Sequence, residues 1–423
     1  MKVLVIGGGG REHALVWKIS KSPQVDKIYA APGNAGIAQI AECIPMGAGD
    51  TKALLGLALE KEIDLTVVGP EAPLVEGIVD LFAGRGLRIF GFDRKGARLE
   101  GSKVWAKEFM KRHGIPTGGF SVFNDPQRAL KAIEASTPPF VIKADGLAAG
   151  KGVLIANSDE EAGKAVGKIM KDKVFGAAGD RIIVEEYLTG EEISVLGVFD
   201  GATYRLFAPS QDHKRAYDGD KGPNTGGMGA YASVLIMGNE LEDCVRERII
   251  EPTFNGMRED GIAGVGVLYF GLIITEDGPR VLEYNCRFGD PETQVILPLF
   301  DGDLVEVMFE STSQNLGHVP FSNSSETAAC IVMASGGYPG SYKKGYVVEG
   351  LDNASGAGCI VFHAGTVSRE GKVRTSGGRV LGVTAIAPTL KGSLDKAYRG
   401  VGAIHFKDSY FRHDIGKKGM KHV

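Results

Sequence analysis

Apolar residues recur along this chain with two periods, and the switch between them marks the elements. Residues 2–6 are a lysine and four apolar residues that run into four consecutive glycines, the pattern of a strand buried on both faces. Residues 11–20 carry apolar positions at helical spacing, and residues 26–30 return to strand character. A helix at 51–61, a strand at 64–68 closed by Gly69-Pro70, a helix at 74–83 and a strand at 88–90 continue the alternation. Strands and helices taking turns in this way predict a parallel, doubly wound sheet.

Further on the texture changes. A helix is expected at 103–113, stopped by Gly114 and Pro116. Strands at 140–143 and 153–156 flank a glycine-rich turn, and helix 160–170 and strand 181–186 complete an α+β unit. A polar, glycine-rich stretch fills 210–231, followed by helix 240–259 and strands 266–275 and 280–285. Strand-like runs then alternate with glycine turns at 328–334, 358–363, 372–375 and 380–386, and helix 390–401 closes the pattern. The expected fold is therefore α/β and α+β multidomain. A doubly wound parallel sheet occupies 1–102, a central unit 103–325 includes a small mobile flap subdomain at 120–190, and a small β-rich C-terminal domain covers 326–423. The chain reads as free-standing, and the basic stretch 417–422 as a frayed, solvated tail.

Composition narrows the field. Of 423 residues, 43% are hydrophobic and 24% charged, with a net charge of −4, which excludes disorder as the main state. No apolar run approaches the roughly 18 residues of a membrane span. The balance of 48 basic and 52 acidic residues argues against a nucleic-acid-coating surface. Five widely spaced cysteines without a CxxC pair suit a reducing, cytoplasmic compartment rather than a zinc or redox site. Glycine is in excess, 61 residues in clusters, as expected of backbone loops that approach ligands closely.

Four motifs carry candidate chemistry. The loop GGGGREH (7–13) joins a strand to a helix, where backbone amides and the helix dipole favour an anion. A dinucleotide site fits poorly: Glu12 stands at the third glycine position, and the second strand runs into Ala30-Ala31-Pro32-Gly33 with no acid for a ribose. A phosphate site for a smaller ligand is preferred, with a plain tight turn as the alternative. The second motif, KADGLAAGKGV (143–153), is one residue short of a Walker loop and has Gly152 where Ser or Thr would bind magnesium. With strands on both sides it reads as a flap over a triphosphate, Lys143 and Lys151 supplying charge; an ordinary hairpin with solvated lysines is the alternative. The third, VEEYLTGEE (184–192), offers backbone groups to a base edge and a carboxylate to a ribose, although acids at a strand end are commonly just solvated. In the fourth, VLEYNCRFGDPETQ (281–294), strand alternation puts Glu283, Asn285 and Arg287 on one face. A carboxylate and an amide oxygen are hard ligands suited to Mg²⁺. Arg287 beside them suits a carboxylate or a transferring phosphoryl group. A polar edge-strand face is the bland alternative.

With APGNAG (31–36), VGPEAPLVEG (68–77), LEGSK (99–103), SQDHKRAYDGDKGPNTGGMGAY (210–231), ASGGYPG (334–340) and FHAGT (362–366), these motifs resemble the ATP-grasp superfamily. Within it the chain is similar, over its whole length, to the phosphoribosylamine–glycine ligase family, RFGDPETQ (287–294) being the most specific match. The resemblance implies a central ATP-grasp unit and a ligase of de novo purine synthesis. ATP, with Mg²⁺ or Mn²⁺, would activate glycine as glycyl phosphate, which 5-phosphoribosylamine would attack to give glycinamide ribonucleotide, ADP and phosphate. It also implies roles. Lys103 and Lys143 would contact phosphates under a flap formed by Gly146, Gly150, Lys151 and Gly152. Glu185, Glu186, Tyr187 and Leu188 would lie along adenine, and Glu192 would hold the ribose. Glu283 and Asn285 would bind the metal, and Arg287 would stabilise the transferring group. Gly9, Gly10, Arg11, Asp212, Thr225, Arg287 and Asp290 would form substrate contacts, with Lys143, Asp212 and Arg287 as the catalytic set. Expected partners are the three substrates, neither nucleic acid nor membrane, and a transient contact with the enzyme that supplies phosphoribosylamine.

One feature departs from the superfamily pattern. The strand before Glu283 reads Gly266-Val267-Leu268-Tyr269-Phe270-Gly271, with no acid; the first, Glu276, falls in the turn. A second carboxylate ligand is therefore not expected there. Three other readings compete: a purine-pathway ATP-grasp enzyme activating formate or bicarbonate, a nucleotide sensor without catalysis, and an NAD-dependent oxidoreductase. RFGDPETQ counts against the first, retention of Lys143, Glu283 and Arg287 against the second, and the incomplete glycine pattern against the third.

Overall fold

The structure, a computed structural model, describes residues 1–148, 152–234, 236–262 and 264–422. Its N-terminal sheet has five parallel strands in the order Glu42–Cys43, Lys27–Pro32, Lys2–Gly7, Leu65–Val68, Ile89–Phe90. Val3 and Val5 pack with Leu15 and Ile19 of helix Gly10–Ile19 on one face. Leu4 and Ile6 pack with Leu54 of helix Thr51–Glu60 and Phe82 of helix Ile78–Ala83 on the other. Covering both faces is what the continuous apolar run demands. Strand order reverses between Lys2–Gly7 and Leu65–Val68, so a crevice opens beyond their carboxyl ends, at Gly7 and Gly69.

A second, ten-stranded sheet runs Gly278–Asn285, Gly266–Thr275, Glu191–Phe199, Ser210–Asp212, Gly229–Ala232, Thr327–Ser335, Arg379–Ala387, Ile360–His363, with Tyr204–Leu206 and Ser409–Tyr410 paired at its side. The stretch 210–231, read from sequence only as polar and glycine-rich, supplies two of these strands and the small hairpin Arg215–Tyr217/Lys221–Asn224. Its second sheet strand is mostly small residues around one buried ring: Gly229, Ala230, Tyr231 and Ala232 are all buried, without any hydrophobic alternation to announce them. Helix Thr293–Leu299 begins at the last two residues of RFGDPETQ and packs on helix Gly10–Ile19, which ties that motif to the first glycine loop.

Residues 120–186 build a separate small unit. Its antiparallel sheet runs Phe120–Phe123, Ile182–Glu186, Phe140–Ala144, Val153–Ala156, and helices Pro126–Glu134 and Asp159–Val166 complete its core around Ile133, Ile142, Ala162 and Ile182. The C-terminal tail corrects an expectation. It is not frayed: Gly419–His422 is a 3₁₀ turn, Lys418 pairs with Asp220 at 2.7 Å and His422 lies 3.2 Å from Glu191. Gly419 is buried against the Tyr231 ring, where a side chain would not fit, and Asp220 of the small hairpin's turn and Glu191 at a strand start take up the basic groups.

Candidate functional site

Two chain crossings join the small unit to the large sheet, and the first charged cluster sits beside them. Lys143 and Glu185 lie on adjacent antiparallel strands, diagonally opposed. Lys143 Nζ is 2.9 Å from Glu185 Oε2 and donates to the Leu282 carbonyl at 3.2 Å. Lys107, one turn beyond Lys103 on helix Lys103–Arg112, reaches the same Glu185 oxygen at 2.9 Å. It also donates to Thr117 Oγ1 at 2.7 Å, and that hydroxyl donates to the Val281 carbonyl at 2.6 Å. Burial lowers the Lys107 ammonium to about 8; the Lys143 charge adds to the drop, against the attraction of Glu185. Glu185 Oε1 is buried with no hydrogen-bond partner, an acceptor open to a ligand donor. Lys107 was not foreseen; its helical spacing from Lys103 was the available signal.

The flap begins under similar control. Ser102 caps its helix by accepting from the Trp105 amide and donates to Asp145 at 2.8 Å, while Lys103 donates to the Gly146 carbonyl at 3.0 Å. Gly146 has φ +153°, and a Cβ there would lie 2.7 Å from the Ala178 methyl. A Cβ on Gly152 would lie 2.6 Å from that of Ala148. Gly150 and Lys151 fall outside the described residues. At the neighbouring strand end, Glu186 accepts the Gly119 amide at 3.0 Å, Tyr187 is exposed and Leu188 is partly buried.

Glu283 and Asn285 lie two residues apart on strand Gly278–Asn285, with Arg287 just beyond its end. Burial alone would raise the Glu283 carboxyl, but Lys214, Lys143, Lys103 and Arg287 overcome it and hold the group below its usual range. Asn285 Oδ1 accepts from Arg287 at 3.3 Å. Arg287 is gripped by acids from the N-terminal unit, Glu100 at 2.8 Å and Glu71 at 3.5 Å. Among the described residues no cluster of three or more His, Cys, Asp and Glu forms a self-sufficient metal cage. An ionised carboxylate beside one amide oxygen fits Mg²⁺, which keeps waters and shares substrate phosphates.

Across from this face stands Lys214, 2.9 Å from Glu192 and held well above its usual range by Glu192 and Asp212 despite burial. Burial pushes Asp212 up to about 7; Lys214 opposes this, and Glu292, Glu192 and Glu283 add to it. Glu292, itself raised by burial, accepts from Ser194 at 3.4 Å. Thr225 anchors the adjoining loop, donating to the Lys214 carbonyl at 2.8 Å.

The crevice of the parallel sheet holds the last group. Glu12 accepts the Gly9 amide at 2.6 Å and pairs with Arg11 at 2.6 Å. The glycines make room for this acid, since a Cβ on Gly7 or Gly69 would overlap its side chain. Gly10 lies against Gln294, and Arg11 donates to the Phe288 carbonyl at 3.2 Å. Asp290 is paired with Arg379 at 3.2 Å; Arg379 and Arg11 hold it below its usual range against burial. Glu71, Glu100, Lys214 and Glu292 fall inside motifs singled out from the sequence but were given no role there, and Arg379 was not singled out at all.

Comparisons with known proteins agree along the chain. Residues 1–100, 101–293 and 328–418 match the families described as phosphoribosylglycinamide synthetase N domain, ATP-grasp (A) domain and C domain. The chain is 47% identical over 415 residues to a phosphoribosylamine–glycine ligase of Caldanaerobacter subterraneus subsp. tengcongensis, covering 98% of this chain and 99% of that one. It is 50% identical over 423 residues to the trifunctional purine biosynthetic protein adenosine-3 of Gallus gallus, spanning 99% of this chain but 42% of that protein. A crystal structure of the phosphoribosylamine–glycine ligase from Thermotoga maritima superposes with a TM-score of 0.86 at 34% identity, covering 98% of this chain and all of that one.

Proposed function

The chain belongs to the phosphoribosylglycinamide synthetase family, and from that premise we propose that it joins glycine to 5-phosphoribosylamine with ATP, through glycyl phosphate. The observation that carries the reading is the meeting of Lys103, Lys143, Lys214 and Arg287 around one ionised Glu283. Two anions, a triphosphate and the glycine carboxylate, must be held together there, and cations offset their repulsion.

The carboxylate oxygen of glycine attacks the terminal phosphorus of ATP, and ADP leaves. Arg287, fixed by Glu100 and Glu71, takes up the charge of the transferring group. The amine of phosphoribosylamine then attacks the acyl carbon, the carbon–oxygen bond to phosphate breaks, and the amine loses a proton. Asp212, raised to about 7, is the carboxyl closest in character to a base for that proton. Lys103 and Lys143 address the ATP phosphates, Glu185, Glu186, Tyr187 and Leu188 line the base, and Glu192 serves the ribose. Glu283 and Asn285 would hold Mg²⁺ or Mn²⁺, which when bound supplies further positive charge at the phosphates. The flap, with Gly146, Gly150, Lys151 and Gly152, closes over the acyl phosphate and keeps water away.

The domain division at 102/103 and 325/326, the cytoplasmic setting and a hand-over of the labile amine from its producing enzyme belong to the same proposal. The five thiols are free, and among the described residues no helix is long and apolar enough to cross a membrane. Glycine labelled with ¹⁸O in its carboxylate tests the intermediate. One labelled oxygen must appear in each inorganic phosphate released; unlabelled phosphate would rule glycyl phosphate out.

A further inference from the structure

Residues 412–422 come after helix Leu390–Ala403 and close on the loop that carries Asp212 and Lys214. Arg412, fully buried, anchors the segment. Its guanidinium donates to the Arg215 carbonyl at 3.0 Å, to Asp220 at 2.9 Å and to both oxygens of Asp414, at 2.8 and 2.9 Å. Asp414 also accepts the Gly219 amide at 2.8 Å, and Asp218 accepts the His413 amide at 2.8 Å. On the other side, the Tyr398 hydroxyl donates to the Arg412 carbonyl and accepts the Ile415 amide, both at 3.0 Å. Charge-assisted bonds of this kind fix geometry, so the small hairpin and the C-terminal helix are held together through one buried cation.

Three contacts run from this segment toward Glu192. The Gly416 amide donates to His213 Nε2 at 3.3 Å, and His213 stands between Asp212 and Lys214. Burial lowers the imidazole to about 3, and Arg412 and Lys418 add to the drop against Asp220 and Asp414, so the ring is neutral and Nε2 can accept. Lys214 in turn meets the Glu192 carboxylate at 2.9 Å. Gly419 covers the Tyr231 ring, whose hydroxyl donates to Gln211 Oε1 at 2.5 Å; the Gln211 amide nitrogen donates to the Glu192 carbonyl at 2.6 Å. His422 reaches the neighbouring Glu191 at 3.2 Å. The Glu192 side chain is itself about half exposed, so packing alone does not fix its rotamer.

Resting on the reading of Glu192 as the ribose ligand, we propose that residues 412–422 are a positioning clasp for nucleotide recognition, holding Glu192 and Lys214 in place through His213 and through Tyr231 and Gln211. Ribose hydroxyls are donors and need an acceptor already aimed at them. The clasp sets that aim without itself touching the nucleotide.

Nucleotide binding, measured by calorimetry with Mg²⁺, tests this on the intact chain. The parent should bind ADP at least about tenfold more tightly than 2′,3′-dideoxyADP. In His213→Leu, which leaves the Gly416 amide without its acceptor, that ratio should fall to about twofold, with affinity for the dideoxy nucleotide within about twofold of the parent. His213→Gln offers an amide oxygen near the Nε2 position and should recover the ratio. A parental ratio in His213→Leu, or an equal loss for both nucleotides, overturns the proposal. Should His213→Leu fail to fold, hydrogen exchange on the unaltered protein decides: saturating ADP should slow exchange over residues 412–422, the Gly416 amide included, and no protection there overturns it. Equal affinity of the parent for the two nucleotides would instead strike at the Glu192 reading, and the exchange result would then stand alone for the clasp.

Discussion

Lys107→Met is expected to make the protein more stable and a worse enzyme. In the parent, burial brings the Lys107 ammonium from 10.5 down to about 8 even though it contacts Glu185. That drop corresponds to roughly 3 kcal/mol by which its charge disfavours folding at neutral pH, an order-of-magnitude value. Below pH 8 the amine is charged in folded and unfolded chains alike, and the penalty is present in full. Between about 8 and 10.5 the unfolded chain binds more protons than the folded one, so stability rises with pH until both are neutral. Methionine keeps much of the stem's volume and carries no charge. Glu185 still has Lys143 at 2.9 Å, so the usual cost of leaving a buried charge unpaired is largely avoided. Thermal unfolding of parent and variant, run side by side from pH 7 to 10.5 without nucleotide, measures the difference. The variant should be more stable at pH 7 by about 1–3 kcal/mol, and the gap should close across that window. The KM for ATP should rise by about tenfold, because Glu185 and Lys143 lose the strut from the large unit. A variant less stable at pH 7, or a gap constant through pH 10.5, would refute the electrostatic argument.

Other outcomes follow from the same geometry. Glu283→Gln should cut turnover by about a hundredfold or more with an unchanged circular dichroism spectrum; near-normal turnover would remove it from the metal face. Since Asp212 is neutral below about 7, kcat/KM should rise with pH through that value, and Asp212→Asn should abolish the limb. A persisting limb would assign the ionisation elsewhere. Ser102→Ala loses a helix cap and the bond to Asp145, and should lower stability by about 1 kcal/mol in a melting experiment.

What sequence made legible divides along physical lines. The parallel sheet was readable because burial on both faces forces continuous apolar runs such as Val3–Ile6. That Glu283 and Asn285 share one face was readable because they lie two apart on one strand and alternation is local. Strand Glu191–Phe199 was passed over, as its acidic start leads into a stretch buried on both faces, interrupted by Ser194 and Gly197, without the period-two signal of a half-buried strand. Helix Thr293–Leu299 was missed for a related reason: it is nearly all apolar and contains Pro298. The partners that tune the site were hidden by distance along the chain. Glu100 meets Arg287 and Lys107 meets Glu185 only after folding, and Arg379 reaches Asp290 from the C-terminal unit. The glycine loop was read as a phosphate cradle, whereas Gly7 and Gly69 also clear space for Glu12.

Product stoichiometry decides whether this chain spends ATP to join glycine to phosphoribosylamine. ADP release would be followed with ATP, Mg²⁺ and freshly generated phosphoribosylamine, with and without glycine. ADP formation should depend on glycine and be matched one for one by glycinamide ribonucleotide. ADP release indifferent to glycine, from protein shown to bind ATP, would contradict it and move the acid substrate to formate or bicarbonate.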